Sequence, residues 1–177
     1  MTQTTLPVTI LIADDDPDDQ MLTRDALLEN SLYNDLHFVS DGQELMDYLG
    51  HRGVYAALET SPRPDLILLD LNMPRKDGRE ALREIKENAE LRTIPIVILT
   101  TSKAEEDILR TYNLGVNSFI VKPVTFQALV DIIRVVTEYW FTIVRLPPHY
   151  ATRRQPSDDR IVRDGRAVPT GVFYDPD

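Results

Sequence analysis

Five short apolar runs punctuate the chain, and helix-like stretches fill the gaps between them. The runs are Val8–Ala13 (VTILIA), a weaker Leu36–Ser40, Asp65–Leu69 leading through LILL into Asp70, Pro95–Leu99 (PIVIL) and Ser118–Val121 (SFIV). Continuous rather than alternating apolar runs suit parallel strands, because helices cover both faces of such a sheet. The intervening stretches carry helix start signals. Asp16-Pro17-Asp18-Asp19 puts an Asp cap, a first-turn Pro and first-turn acids in order. Met21, Leu22, Ala26 and Leu28 are then expected to line the buried stripe of a first helix. A second opens at Asp41-Gly42, with Leu45, Met46 and Leu49 inward. A third opens at Asp77-Gly78, with Ala81, Leu82 and Ile85 inward. A fourth runs from Lys103 to Asn113, ending near Gly115, and Thr125 caps a fifth. Five strands alternating with five helices predict an α/β doubly wound fold with right-handed crossovers.

In such folds chemistry gathers beyond the carboxyl ends of the strands. Asp14, Asp15 and Asp16 follow the first strand, and Asp70, Leu71, Asn72, Met73 and Pro74 follow the third. Thr100, Thr101 and Ser102 follow the fourth; Lys122 and Pro123 follow the fifth. Polar residues at strand ends are commonly only caps, and Asp16, Asp18 and Asp19 are read that way, as caps and solvated acids. Asp70 differs. It sits at the mouth of a buried strand, where an uncompensated carboxylate is costly. Lys122 ends its strand in the same manner, so the two suggest a charge-paired site on one rim.

The strings LIADDD, LILLDLNMP, VILTTS and FIVKP, in this order and spacing, resemble the receiver domain of two-component response regulators over roughly residues 8–140. The resemblance implies a five-stranded sheet in the order 2-1-3-4-5 and a set of roles. Asp70 would accept the phosphoryl group. Asp14 and Asp15, with Asp70 and the Asn72 backbone carbonyl, would hold Mg²⁺. Thr100 would be the switch hydroxyl, Phe119 the switch aromatic and Lys122 the phosphoryl-contacting cation, with a cis Lys122–Pro123 bond. Asn72 and Ser102 match positions that tune dephosphorylation in the family. Such a protein is a signalling switch, not an enzyme acting on a separate substrate. The chemistry suits the residues: Asp70 is a nucleophile already ionised at neutral pH. Phosphoryl transfer asks mostly for positioning and charge neutralisation.

Composition narrows the reading. The 177 residues hold 19 Lys and Arg against 29 Asp and Glu, a net charge of −10. An acidic chain argues against nucleic acid or anionic membrane as a partner. There is no Cys, which removes disulfides, thiolate metal sites and thiol nucleophiles. The opening residues lack the features of a signal peptide, and no apolar run has the length of a membrane span, so a soluble cytoplasmic protein is expected. A haloacid-dehalogenase-type phosphatase also uses Asp and Mg²⁺. Its Asp14-x-Asp16 signature, however, would be followed by Thr or Val, and Pro17 stands there.

Beyond the fifth helix the chain stays apolar through Tyr139, Trp140, Phe141, Ile143 and Val144, with the only Trp among them. One reading folds this stretch back on its own domain. The other makes it a subunit interface, since aromatic anchors concentrate at interfaces. The YWFTIVRLP string also resembles the receivers that partner bacterial phytochrome-type histidine kinases, which implies a homodimer built through the C-terminal extension. The expected division is therefore a receiver over 1–146 and an extension over 147–177. The extension holds five of the twelve prolines, and its five Arg balance its five Asp. Within it Asp164-Gly165 suits a hairpin turn or a flexible arm. The implied function is phosphoryl acceptance from a sensor histidine kinase, passed on by protein contact. A phosphate sink or relay intermediate is the alternative.

Overall fold

The computed structural model describes residues 8–30, 34–57 and 61–147. Five parallel strands form one sheet: β1 (Val8–Ala13), β2 (Asn34–Val39), β3 (Leu66–Leu69), β4 (Ile96–Thr100) and β5 (Ser118–Val121). Their order is β2-β1-β3-β4-β5, as the resemblance implied. The helices are α1 (Pro17–Glu29), α2 (Gly42–Leu49), α3 (Gly78–Glu87), α4 (Glu105–Asn113) and α5 (Phe126–Glu138).

Period-two alternation sends successive residues of each strand to opposite faces. Ile10, Ile12, Leu66, Leu68, Val97 and Leu99 pack on one face, against Ala26 and Leu27 of α1 and Leu129, Val130 and Ile133 of α5. Leu11, Ile67, Leu69, Ile96 and Ile98 pack on the other, with Leu45 and Leu49 of α2 and Ala81, Leu82 and Ile85 of α3. Helices cover both faces, which is why the sequence shows apolar runs instead of alternation. Each fully buried Leu or Ile contributes roughly 1.5–3 kcal/mol of transfer free energy.

The stripe of α1 differs from the expectation. Thr23, Ala26 and Leu27 are buried, while Met21, Leu22 and Leu28 face outward. Helical spacing decides this: 23, 26, 27 and 30 share a face. Asn30 completes it, donating to Ala26 O at 2.7 Å and, at 3.4 Å, to Val130 O of α5. Small and polar members concealed the stripe. Side-chain caps start α1, α3 and α5 as expected. Asp16 accepts from Asp18 N at 2.9 Å, Asp77 and Glu80 form a reciprocal capping box on α3, and Thr125 accepts from Ala128 N.

The apolar stretch after α5 is not a continuous α-helix. Tyr139–Ile143 forms a wide π-helical turn closed by Val144 N to Tyr139 O at 3.0 Å, after which Val144 is extended. The turn divides its side chains. Trp140 and Phe141 are half-buried against the α1–α5 side of the core, whereas Tyr139 and Ile143 are exposed. Residues 148–177, with most of the expected extension and its Asp164-Gly165 turn, lie outside the described residues. No helix among those described is long and apolar enough to cross a membrane.

Candidate functional site

β1 and β3 are hydrogen-bonded neighbours, with Ala13 opposite Leu69. The residue after each strand is an Asp, so Asp14 and Asp70 emerge side by side. Asp70 N donates to Ala13 O at 2.9 Å and carries the parallel ladder to the rim. Both carboxylates are buried, at 3% and 6% exposure. β4 lies beyond β3 and delivers Thr100, whose hydroxyl donates to Asp70 Oδ1 at 2.7 Å. Asn72 N donates to the same oxygen at 3.2 Å. β5 delivers Lys122, whose own N–H donates to Thr100 O at 2.7 Å. Its Nζ reaches Asp70 Oδ2 at 3.2 Å and Asp14 Oδ2 at 2.6 Å.

The backbone behind Asp70 is held by α3. A Cβ on Gly78 would stand 2.1 Å from Asp70 O and 2.8 Å from Leu71 Cα, so only glycine allows this approach. Gly78 N donates to Leu71 O at 2.9 Å. The capping box of α3 fixes the first turn of the helix at that contact.

The Lys122–Pro123 bond is trans, in contrast to the cis bond expected, and no cis peptide occurs among the described residues. Trans is the lower-energy isomer of an X–Pro bond by about 0.5–1 kcal/mol. The Lys122 side chain reaches all its acidic partners with the bond in that form.

One residue of the site went unrecognised in the sequence. Asp19, read as a solvated helix acid, accepts from Lys122 Nζ at 2.6 Å. It belongs to the first turn of α1, and that turn faces the end of β5. Asp16 fits its expected role as the cap of α1. Phe119 is partly buried against the α2–α3 side of the core, and its N–H donates to Tyr112 Oη at 3.3 Å.

Burial and close pairing shift the titration of Asp14 and Lys122. Burial pushes the Asp14 carboxyl above its ordinary value, and its bond to Lys122 offsets only part of that. Burial disfavours the Lys122 ammonium, but hydrogen bonds to Asp14 and Asp19 outweigh it and raise the pKa. Lys122 therefore stays charged throughout the neutral range. The rim remains short of positive charge. Asp14, Asp15 and Asp70 each present an oxygen, all within 4.8 Å of one another. Unit charges about 4 Å apart repel by roughly 4 kcal/mol at an effective dielectric near 20. A hard divalent cation with oxygen preference fits this donor set.

Beside Lys122, a cavity of about 320 Å³ opens between α1 and the β5–α5 turn. Asp19, Leu22, Thr101, Val124 and Phe126 are among its walls.

Comparison with known proteins decides the family. The response regulator receiver domain family matches residues 10–134. The chain belongs to this family. A similar curated protein is response regulator Rcp1 of Synechocystis sp., 40% identical over 141 residues, spanning 80% of this chain and 94% of Rcp1. The phosphorylated cyanobacterial phytochrome response regulator RcpA superposes with a TM-score of 0.76 at 40% identity, covering 81% of this chain and 100% of that one. The Mn²⁺-bound form of Rcp1 superposes with a TM-score of 0.74 at 40% identity, covering 80% of this chain and 100% of its own. The described region is thus a receiver, homologous to phytochrome response regulators, and phosphoryl acceptance is the activity that fits it.

Proposed function

We propose that Asp70 accepts a phosphoryl group from a histidine kinase. The observation that carries this reading is the convergence on one carboxylate of a hydroxyl at 2.7 Å and an ammonium at 3.2 Å, beside the further acids Asp14 and Asp15. An Asp70 oxygen attacks phosphorus as the phosphorus–nitrogen bond of a phosphohistidine breaks. The imidazole leaves, and an acyl phosphate remains on Asp70. Lys122 supplies a fixed positive charge to the incoming oxygens, a role suited to a compact ammonium. Thr100 turns its donor from the carboxylate to the phosphoryl group. Asp14, Asp15, Asp70 and the Asn72 carbonyl would hold Mg²⁺, which when bound offsets the negative charge of the acids and the phosphoryl oxygens. Phe119 then follows Thr100 as the switch aromatic.

The kinase partner is read as phytochrome-type, which the likeness to Rcp1 and RcpA supports. The protein works in the cytoplasm as a protein-contact switch. Homodimers form through the end of α5 and the turn after it. Exposed Tyr139 and Ile143 supply the contact surface with Val144, while Trp140 and Phe141 brace the turn from behind. The receiver extends over 1–146, and 147–177 serves as an arm of that dimer. The test of the central reading is radiolabelling from acetyl phosphate with Mg²⁺ present. Asp70→Asn should remain unlabelled, and full labelling of that variant would move the acceptor elsewhere.

A further inference from the structure

Behind the acceptor lies a second polar contact that the roles above leave unused. Arg79, in the first turn of α3, donates through Nε to Asp107 Oδ1 at 2.7 Å and through Nη2 to Oδ2 of the same carboxylate. Asp107 belongs to the first turn of α4. Both side chains are only 16% exposed, so this is a two-pronged, largely covered pair and not a loose surface contact. Asp107 Oδ2 also accepts from the Ser102 hydroxyl at 2.7 Å. Ser102 N–H in turn donates to Thr100 Oγ1 at 3.3 Å. That bond occupies an acceptor site on the hydroxyl and leaves its proton for Asp70 Oδ1. Arg79 Nη1 lies 3.4 Å from the carbonyl of Leu71, next to Asp70. The path Asp70–Thr100–Ser102–Asp107–Arg79–Leu71 therefore closes on itself.

The turn needs such a brace. The residue preceding α4 is Ala104, which offers no side-chain cap, so nothing of the usual kind fixes the start of that helix. Ser102 is held instead by the carboxylate of Asp107. That carboxylate is oriented by the planar fork of Arg79, which comes from the helix already wedged against Asp70 at Gly78.

From this we infer that Arg79 and Asp107 are positioning residues for phosphoryl transfer: they fix Ser102 so that the hydroxyl of Thr100 is held on Asp70. The inference rests on Asp70 being the acceptor. Arg79 and Asp107 touch neither the acceptor carboxylate nor the acids that would hold Mg²⁺; they act through Ser102 and Thr100. Cutting the pair frees the β4–α4 turn and lets the Thr100 hydroxyl leave its orientation.

Two measurements on the full chain test this. The first is hydrogen exchange of the amides between Thr101 and Glu106, in the wild type, Arg79→Gln and Asp107→Asn. Either substitution should speed exchange there on the order of ten-fold while the core strands keep their protection. The second is the rate of phosphorylation by acetyl phosphate at saturating Mg²⁺. It should fall on the order of ten-fold in each single variant, and no further in the double, since both cut one contact. In a Thr100→Ala background Asp107→Asn should have no additional effect. A general loss of structure would instead slow that background again. Wild-type exchange in both variants, or a full additional rate loss in the Thr100→Ala background, overturns the inference. If the wild type itself takes no phosphoryl group on Asp70, the acceptor reading fails, and the exchange measurement alone decides whether the pair holds the turn.

Discussion

Lys122 stands closer to Asp19 than to Asp70: its Nζ is 2.6 Å from the one and 3.2 Å from the other. A helix acid thus competes with the proposed acceptor for the ammonium that reaches both. Removing that acid has a defined consequence. In Asp19→Asn the ammonium settles more firmly on Asp14 and Asp70, and the site loses a negative charge. Both changes disfavour a divalent cation, so Mg²⁺ affinity by calorimetry should drop several-fold while the fold is retained. Unaltered affinity would show that Asp19 does not govern Lys122.

Asp15 is exposed but shares the acid cluster with Asp14 and Asp70. Removing its charge relieves repulsion in the metal-free protein and deletes a proposed Mg²⁺ ligand. Asp15→Asn should melt at a higher temperature than the wild type without Mg²⁺, lose the stabilisation Mg²⁺ gives, and label poorly. A lower metal-free melting temperature would contradict this account of the cluster.

Asp107 gives the acid limb of the stability curve. Its hydrogen bonds from Arg79, first, and from Ser102, with the nearby charge of Arg110 on α4, hold its carboxyl down at about 2. A carboxyl depressed on folding stabilises the native state above the unfolded value, near 4, and loses that contribution as pH falls toward 2. The unfolding free energy from urea titration should rise with pH between those values in the wild type and rise less in Asp107→Asn. Parallel curves would mean the pair contributes nothing to acid stability.

Gly78→Ala places a methyl into the backbone of Asp70 and Leu71, where no side chain can rotate away. The cost should be about 1–3 kcal/mol in urea unfolding. Labelling should fall with it, because the displaced group is the proposed acceptor. Wild-type stability would mean that α3 moves away without penalty.

At the end of α5 the two faces of the turn should separate experimentally. Trp140→Ala removes contacts with the core and should cost about 1–2 kcal/mol, below the 3–5 kcal/mol typical of a fully buried aromatic. Ile143→Asp alters an exposed position and should leave stability intact while shifting sedimentation from dimer to monomer. A wild type that is monomeric at tens of micromolar removes the interface and leaves only the fold-back packing.

Asp70, Thr100 and Lys122 were legible in the sequence because each follows an unbroken apolar run, and the end of a parallel strand is where such a fold exposes its chemistry. Asp19 was not, since its partner lies 103 residues away and only the packing of α1 beside β5 brings them together. Arg79 and Asp107 were hidden for the same reason, lying 28 positions apart with ordinary helix-surface chemistry at each end. The stripe of α1 was misread because Thr23 and Asn30 hold buried positions that a search for apolar spacing passes over. The turn at Tyr139–Ile143 leaves no periodic trace, because one widened turn alters the angle of every later side chain without altering composition.

Three cations at or near this rim are already engaged before anything binds. Lys122 is shared by three acids, Arg79 is committed to Asp107, and Arg75 to Asp41. An arriving dianion therefore exchanges partners instead of filling a waiting vacancy. A contact from Lys122 to a phosphoryl oxygen thus displaces one to Asp14, Asp19 or Asp70, and loss of the phosphoryl group returns the ammonium to partners already in place.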